Sequence, residues 1–149
     1  MSKTMYSITK NGQCAKHLCE IDENNKTVST KENSLVFDFS CLDDWSFKTG
    51  FGCTFTTDSG CTFITYYDCT FITGYGCTFS TGYGCTFKTR SDCTFSTGSD
   101  CTFSTEENCV LLRKDIFEII ELQNANIKLN GDGIVGYTTI TEKDTEGGN

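Results

Sequence analysis

Apolar and polar residues alternate through the middle of the chain, and the alternation repeats every eight residues. The unit reads C-T-F-x-T-x-x-x, so a threonine separates the apolar first and third places. Such alternation is typical of β-strands, whose successive side chains point to opposite faces. Cysteine fills the first place at Cys53, Cys61, Cys69, Cys77, Cys85, Cys93, Cys101 and Cys109. Phenylalanine fills the third place at Phe55, Phe63, Phe71, Phe79, Phe87, Phe95 and Phe103.

The pattern weakens gradually on both sides of these copies. Residues 45–52 form one more copy, with Trp45 in the cysteine place, and residues 37–41 keep the apolar places. Downstream, the same eight-residue phase is kept by Cys109 and Leu111, then Phe117 and Ile119, then Ala125, Ile127 and Leu129. We therefore expect the ordered region to run from about Leu35 to Leu129.

The first, third and fifth places of each unit share one face of a strand. We expect this face to be buried, with cysteine, phenylalanine and threonine side by side. The fourth place accepts residues as different as Thr56, Ile64 and Lys88, and its tolerance of lysine indicates the solvent face. The last three places are rich in glycine, aspartate and serine, which are turn residues.

Short identical strands joined by turns predict a stacked coil, in which each strand pairs with those above and below at about 4.8 Å. The predicted fold class is all-β: a β-solenoid of octapeptide repeats with non-repetitive N- and C-terminal caps. Reduced cysteine is a small, well-buried residue, so the cysteines are expected to pack rather than react. The repeat leaves open one, two or three units per coil, or three intertwined chains.

The two ends of the chain differ from the repeat and are expected to cap it, because a bare terminal coil would expose core and strand edges. Residues 1–34 read as an N-terminal cap with a turn at Asn11-Gly12. Residues 35–112 form the solenoid, 113–141 a C-terminal β cap, and 142–149 a frayed tail. Arg113-Lys114-Asp115 breaks the apolar pattern where the repeat ends, and the turn signal at residues 130–133 predicts a connection between strands.

Composition restricts the function classes. The chain has 149 residues, 11 cysteines, no proline and a formal net charge of -8. The negative charge argues against gripping nucleic-acid phosphates or an anionic membrane. The N-terminus shows no signal-peptide pattern, so we expect the protein in a reducing cytosol or in a particle assembled there, where disulfides are disfavoured. Neither nucleic acid nor membrane is an expected partner.

Candidate chemistry is sparse. His17 is the only histidine and lies near Cys14 and Cys19, but no second ligand pair follows at zinc-finger spacing. The segment 130–133 lacks the alternating acidic ligands of a calcium loop. Glycines 74, 76, 82 and 84 read as turn residues, because no helix follows to bind phosphate. We therefore expect no catalytic, cofactor-binding or metal-binding residues, and no enzyme.

Four tyrosines occupy turns of neighbouring repeats: Tyr66, Tyr67, Tyr75 and Tyr83. Their alternative interpretation is duplication of one TGYGCTF unit. An exposed cluster of aromatic residues is nevertheless typical of a binding surface. These four tyrosines are therefore the candidate edge of the solenoid for binding a protein partner.

The octapeptide C-T-F-x-T-G-x-x resembles a repeat of bacteriophage-encoded proteins that are loosely grouped with pentapeptide-repeat proteins. The segment "NCVLLRKDIFEIIEL" and the later "IKLNGDGIVGYT" are similar to the sequence that follows the repeats in those proteins. The resemblance covers residues 45 to about 139. It implies a β-solenoid of phage or prophage origin and no catalytic residues. The four-sided coil of true pentapeptide repeats does not follow from it, because their period is five.

The leading hypothesis is a non-enzymatic structural or interaction module, phage- or prophage-encoded and virion-associated, that acts as a rigid scaffold. Its expected partner is an unknown protein, such as another virion component, and its expected state is a monomer or homotrimer. Three alternatives remain: a trimeric β-helical spike element, an ice-binding threonine array, and an acidic solenoid that mimics nucleic acid. Thr78 would belong to the threonine array.

Overall fold

The computed structural model describes residues 6–140, and it confirms an all-β solenoid. The predicted frayed tail, 142–149, lies outside the described residues. One short 3-10 helix, Lys16–Leu18, interrupts the strands. The strands are β1 (Ser7–Lys10), β2 (Gln13–Cys14), β3 (Glu20–Asp22), β4 (Thr27–Ser29), β5 (Val36–Phe39), β6 (Ser46–Lys48), β7 (Thr54–Thr57), β8 (Thr62–Ile64), β9 (Thr70–Ile72), β10 (Thr78–Ser80), β11 (Thr86–Lys88), β12 (Thr94–Thr97), β13 (Thr102–Ser104), β14 (Cys109–Arg113), β15 (Glu118–Leu122), β16 (Asn126–Leu129) and β17 (Tyr137–Thr139).

Two octapeptides make one coil, and each contributes a strand to one of two sheets. The larger sheet, called sheet A here, has the order β17-β16-β13-β11-β9-β7-β5-β1-β2. The other, sheet B, has the order β15-β14-β12-β10-β8-β6-β4-β3. Parallel partners lie 16 residues apart, as in Thr54 with Thr70 and Phe79 with Phe95. The flat two-unit coil is therefore the arrangement adopted among those the repeat left open, and it closes within one chain.

The centre of the solenoid is a double column of phenylalanine rings. Within a sheet, Phe55 stacks on Phe71 with ring centroids 5.0 Å apart and an interplanar angle of 3°. Across the two sheets, Phe55 meets Phe63 edge-on at 5.1 Å and 69°. Both geometries suit the ring quadrupole, and each such pair contributes about 0.5–1.5 kcal/mol beyond its buried area. The third place of the repeat therefore builds the core, as predicted.

Cysteine and threonine complete each coil on either side of the rings. All eight ladder cysteines are buried and unpaired by disulfides. Apart from Cys53, their thiols donate to carbonyls of the coil below, as Cys77 Sγ does to Asp58 O at 3.4 Å. The buried fifth-place threonines other than Thr73 donate to the next carbonyl, as Thr97 Oγ1 does to Gly98 O at 3.1 Å. The prediction that these places point inward is confirmed.

The last place of each unit turns the chain through the left-handed region. Gly60 has φ of +72°, and the Asp44 carboxylate of the coil below occupies the position where a Cβ would lie. Asp44 itself has φ of +64°, a conformation that aspartate adopts more readily than most residues. Asp68 makes the same close approach to Gly84, so a side chain at either glycine would meet the aspartate of the coil below.

The N-terminal cap covers the first coil with two hairpins. β1 runs antiparallel to β5 and continues into β2 through the predicted turn at Asn11-Gly12. β3 and β4 form the other hairpin, and β4 pairs parallel with β6. The prediction that residues 37–41 keep the eight-residue phase was wrong by two residues. Phe37 pairs with Phe55, rather than taking a cysteine place, because the following turn is two residues longer than a standard one.

The C-terminal cap reverses the chain direction. β14 continues sheet B in parallel, and β15 then folds back antiparallel on it. β16 caps sheet A antiparallel to β13, and β17 pairs with β16 across the connection that contains the predicted turn. The expectation that Phe117 and Ile119 continue the inward phase was wrong: they are 80% and 71% exposed. The hairpin turn resets the alternation, so Ile120 and Leu122 point inward instead.

Arg113, the first residue of the predicted break in the apolar pattern, anchors the C-terminal cap. It takes the buried fifth place of its repeat and is fully buried. Its guanidinium contacts both carboxylate oxygens of Asp115, at 3.1 and 2.6 Å. It also donates to the carbonyls of Ile134 and Gly131, at 2.6 and 3.1 Å. A buried charge is tolerated when it is paired and hydrogen-bonded, so Arg113 holds the loop before β17 in place.

Candidate functional site

Five of the eight ladder cysteines have a raised pKa, which is a poor environment for nucleophilic chemistry. A hydrogen bond with Cys69, together with burial, raises the pKa of Cys53 far above its usual range. Cys77 and burial have the same effect on the pKa of Cys61. The hydrogen bond with Cys101 raises the pKa of Cys85 to about 11. Because the thiolate is the reactive form, these thiols are suited to packing.

The residues around His17 do not converge on one point. Cys14 is exposed at the end of β2, whereas Cys19 is half-buried beyond the short helix and donates weakly to Ala15 O at 3.9 Å. Across residues 6–140, no group of three or more histidine, cysteine, aspartate or glutamate side chains is arranged to hold a metal ion. The segment acts as a cap in the structure.

The four candidate tyrosines are divided between the two edges of the solenoid. Tyr67 stacks between Phe51 and Tyr83, with ring centroids 4.7 and 5.1 Å apart. Tyr66 lies beside this stack and is 62% exposed. Tyr75 lies on the opposite edge, where Arg90 sits 5.0 Å above its ring. The grouping of all four was therefore wrong for Tyr75, because successive turns of a two-unit coil alternate between edges.

The outer face of sheet B is uncharged over most of its length. Its second and fourth places carry mainly hydroxyl groups in the central coils, with Thr78 aligned between Thr62 and Thr94. The exposed Ile64 and the adjacent Lys48 interrupt this pattern. The regular threonine array expected for ice binding is therefore confined to a few coils.

An apolar surface at the C-terminal end was missed by the sequence reasoning. Phe117 and Ile119 are its most exposed members, and the loop before β17 adds exposed apolar side chains. The other members are Val110, Ile134, Val135 and Tyr137. The only sequence signal was the apolar run of residues 116–120, which was assigned to the core phase. This surface and the tyrosine stack are the two candidate binding surfaces.

No protein-family model, curated protein or solved structure matches the chain. Among the described residues, no helix is long and apolar enough to cross a membrane.

Proposed function

We propose that the chain is a non-enzymatic structural or interaction module, a rigid β-solenoid that holds its caps and corner loops at fixed spacing. The observation that carries this proposal is the use of the constant places of the octapeptide. Its cysteine, phenylalanine and fifth-place threonine are buried in the core, and its last place supplies the left-handed turn. The constant places of the octapeptide therefore build the solenoid, and the variable places lie on its outer surface.

The exposed tyrosine stack is the proposed contact for a protein partner. Tyr67 and Tyr83 are held by stacking in register with the coils, so their rings are ordered before any partner arrives. Tyr66 adds a projecting ring at the same edge. Ordered tyrosines provide contact area with little loss of conformational entropy. This edge suits recognition of a protein surface.

The phage or prophage origin and the association with virions rest on the resemblance of the repeat alone. Mass spectrometry of particles purified from the natural source tests this part of the proposal. We expect peptides of the chain at a fixed ratio to the capsid proteins. Their absence from purified particles would remove the virion role and leave the scaffold role intact.

The scaffold role is tested by measuring the rod with two fluorophores. One label is placed on the exposed Cys14 of β2 and the other on a Lys128→Cys variant in β16, with Cys19 and Cys41 replaced by serine. Seven strand spacings separate β2 from β16 in sheet A, which corresponds to about 34 Å at 4.8 Å per strand. We expect one narrow distance distribution by single-molecule energy transfer.

The control duplicates one complete coil, residues 69–84, between the two labels. A rigid rod should lengthen by about 4.8 Å, the spacing of one strand. A broad distribution, or a distance that does not change with the added coil, would contradict the scaffold proposal.

A further inference from the structure

The open strand edges at the two ends of the solenoid differ in length and in sequence. At the N-terminal end, β2 has two residues, and β3 carries acidic residues at both of its ends, Glu20 and Asp22. Short and charged edge strands resist pairing with other chains. At the C-terminal end, sheet B finishes at β15, which has five residues and the sequence EIIEL. This edge is longer than β2 and β3, and although it carries Glu118 and Glu121, its middle residues are the apolar pair Ile119 and Ile120.

The backbone of β15 presents hydrogen-bonding groups to the outside. Val110 N donates to Cys93 O at 3.1 Å and Lys114 N to Thr97 O at 2.8 Å, so every second residue of β14 faces β12. The intervening residues of β14 face β15, where they pair with Glu118, Ile120 and Leu122. In an antiparallel ladder, the alternate residues then point their N–H and C=O groups the other way. Ile119 and Glu121 therefore direct theirs away from β14, and within residues 6–140 β15 pairs only with β14.

A strained aromatic residue lies beside this edge. Phe117 has φ of +55° and is 80% exposed. A bulky residue in the left-handed region is uncommon, and such strain is concentrated at functional positions. In the monomer, this backbone conformation leaves the apolar ring of Phe117 exposed to water. Phe117 thus points independently to a contact outside the monomer.

Sheet A ends beside it in a second open edge. Leu129 N donates to Cys101 O at 2.8 Å, so Lys128 faces β17 and pairs with Thr138. The alternate residues Tyr137 and Thr139 consequently direct their backbone groups away from β16. The solenoid therefore offers two parallel edges at one end, separated by the thickness of its core. A single extended peptide could satisfy only one of them.

We propose that a second copy of the chain docks end to end on these edges, through a two-fold axis that lies between the two copies of β15, level with the middle residue Ile120. Ile120 lies opposite the partner's Ile120, and Ile119 lies opposite the partner's Glu121. Both members of the second pair direct their backbone groups across the interface, so four hydrogen bonds form along β15. The same axis, perpendicular to both sheets, brings β17 towards the partner's β17.

Charge and side-chain direction select this register. It places no two glutamates of β15 opposite each other, whereas like charges directly opposed across strands are destabilising. A shift by one residue would set Glu118 against the partner's Glu121 and would also turn every side chain to the wrong face. In the proposed register the inward Ile120 side chains continue the core, and the outward Ile119 and Phe117 gain apolar neighbours. The acidic chain can therefore associate with itself at this end.

The test is the mass in solution by light scattering after size exclusion, under reducing conditions and over a range of concentrations. We expect the unmodified chain to give twice its monomer mass of 16.5 kDa. Ile119→Lys introduces a charge at an exposed edge position and should return the mass to that of one chain. The matched control is Ile72→Lys, which changes a 46% exposed residue in the middle of sheet A and should remain a dimer.

A second readout separates this interface from any other. Hydrogen exchange should show protected amides at Ile119 and Glu121 in the dimer, and their protection should be lost on dilution. The proposal is overturned by a single-chain mass at every concentration, by a threefold mass, or by a dimer that survives Ile119→Lys. Binding of a different protein to a chain that stays monomeric would also overturn it. Circular dichroism of both variants confirms that they fold.

Discussion

Phe79 lies in the middle of the ring column and shows what one repeat residue contributes. It stacks on Phe63 and Phe95, at 5.0 and 4.9 Å between ring centroids. It also meets Phe71 and Phe87 edge-on, both at 5.1 Å. Four aromatic neighbours surround a side chain that is 1% exposed, so nothing nearby can move in to fill its place.

Phe79→Ala should therefore lower the free energy of unfolding by about 3–5 kcal/mol, through lost burial and a residual cavity. The measurement is urea denaturation followed by circular dichroism. Ser80→Ala is the matched control at the next, outward position, and we expect it to change stability by less than about 0.5 kcal/mol. Equal stability of Phe79→Ala and the unmodified chain would contradict the inward assignment of the third place.

For single residues the sequence was informative, because a side chain in a strand can point to only one of two faces. Once Lys88 marked the fourth place as outward, the buried places followed. The reason for threonine at the fifth place could not be deduced, since its hydroxyl partner is a backbone carbonyl revealed only by the turn geometry. The anchoring role of Arg113 could not be deduced for a related reason: its partners Asp115, Gly131 and Ile134 come together only when the C-terminal hairpins form.

The cysteine ladders act as structural elements, because the pKa of a ladder thiol depends on neighbouring thiols 16 residues away in the chain. The neighbouring thiol and burial raise the pKa of Cys53 and Cys61. Hydrogen bonds from one neighbour lower the pKa of Cys69 and Cys77, but the other neighbour and burial leave both raised. Hydrogen bonds with Cys77 and Cys85, respectively, lower the pKa of Cys93 and Cys101. Raised values predominate, with Cys85 at about 11.

Stability should therefore fall in alkaline solution. Unfolded thiols lose their protons near pH 8.5, whereas the ladder thiols with a raised pKa, Cys85 among them, hold theirs to higher pH in the folded chain. The unfolded chain then binds fewer protons, and the free energy of unfolding decreases as pH rises. The stabilisation is fully present below about pH 8.5 and is lost as pH rises towards the Cys85 value of about 11.

The measurement is denaturant unfolding at a series of pH values, with reducing agent present. Cys85→Ala should make the decrease above pH 8.5 shallower, whereas Cys41→Ala, at an exposed cysteine, should leave its slope unchanged. A stability that is flat or rises through this range would show that the ladder thiols are not held protonated by the fold.

The caps mark the limit of prediction at the level of elements. The turn at Asn11-Gly12 was found because its residues specify a hairpin. The reversal of chain direction after β14 was missed because residues 116–120 are as apolar as the repeat. An apolar segment of this length is compatible with a hairpin strand and with a further coil. The two-residue slip at Phe37 was hidden for the same reason: Phe37 and Phe39 are both inward, so either could be matched to the ring column.

As a whole molecule, the solenoid is close to one-dimensional, since each coil contacts only the coils next to it. Stability in such proteins is approximately a sum of repeat and interface contributions. Deleting one complete coil, residues 69–84, should therefore leave a folded protein with a lower midpoint and a cooperative thermal transition. Deleting residues 69–80 removes one and a half units and should abolish folding, because turn residues would fall at core places. Circular dichroism and thermal unfolding distinguish the two, and comparable folding of both would contradict the stacked register.

The number of units per coil was not available from the sequence. Sheets A and B use the same octapeptide, so a period of eight describes one strand and one turn without fixing how many strands close the coil. Closure depends on whether the core of a two-strand coil is filled, and here it is filled by one phenylalanine, one cysteine and one threonine from each strand. The two-unit coil is the central structural claim of the account.

Anomalous diffraction from the native sulfur atoms of crystals tests this claim most directly. Two units per coil predict that the eight buried ladder sulfurs form two parallel rows of four, on opposite sides of the ring column. Neighbouring sulfurs in a row should be about 4.8 Å apart, the distance between paired strands. A single row of eight sulfurs, or three rows, would contradict the two-unit coil and the scaffold built on it.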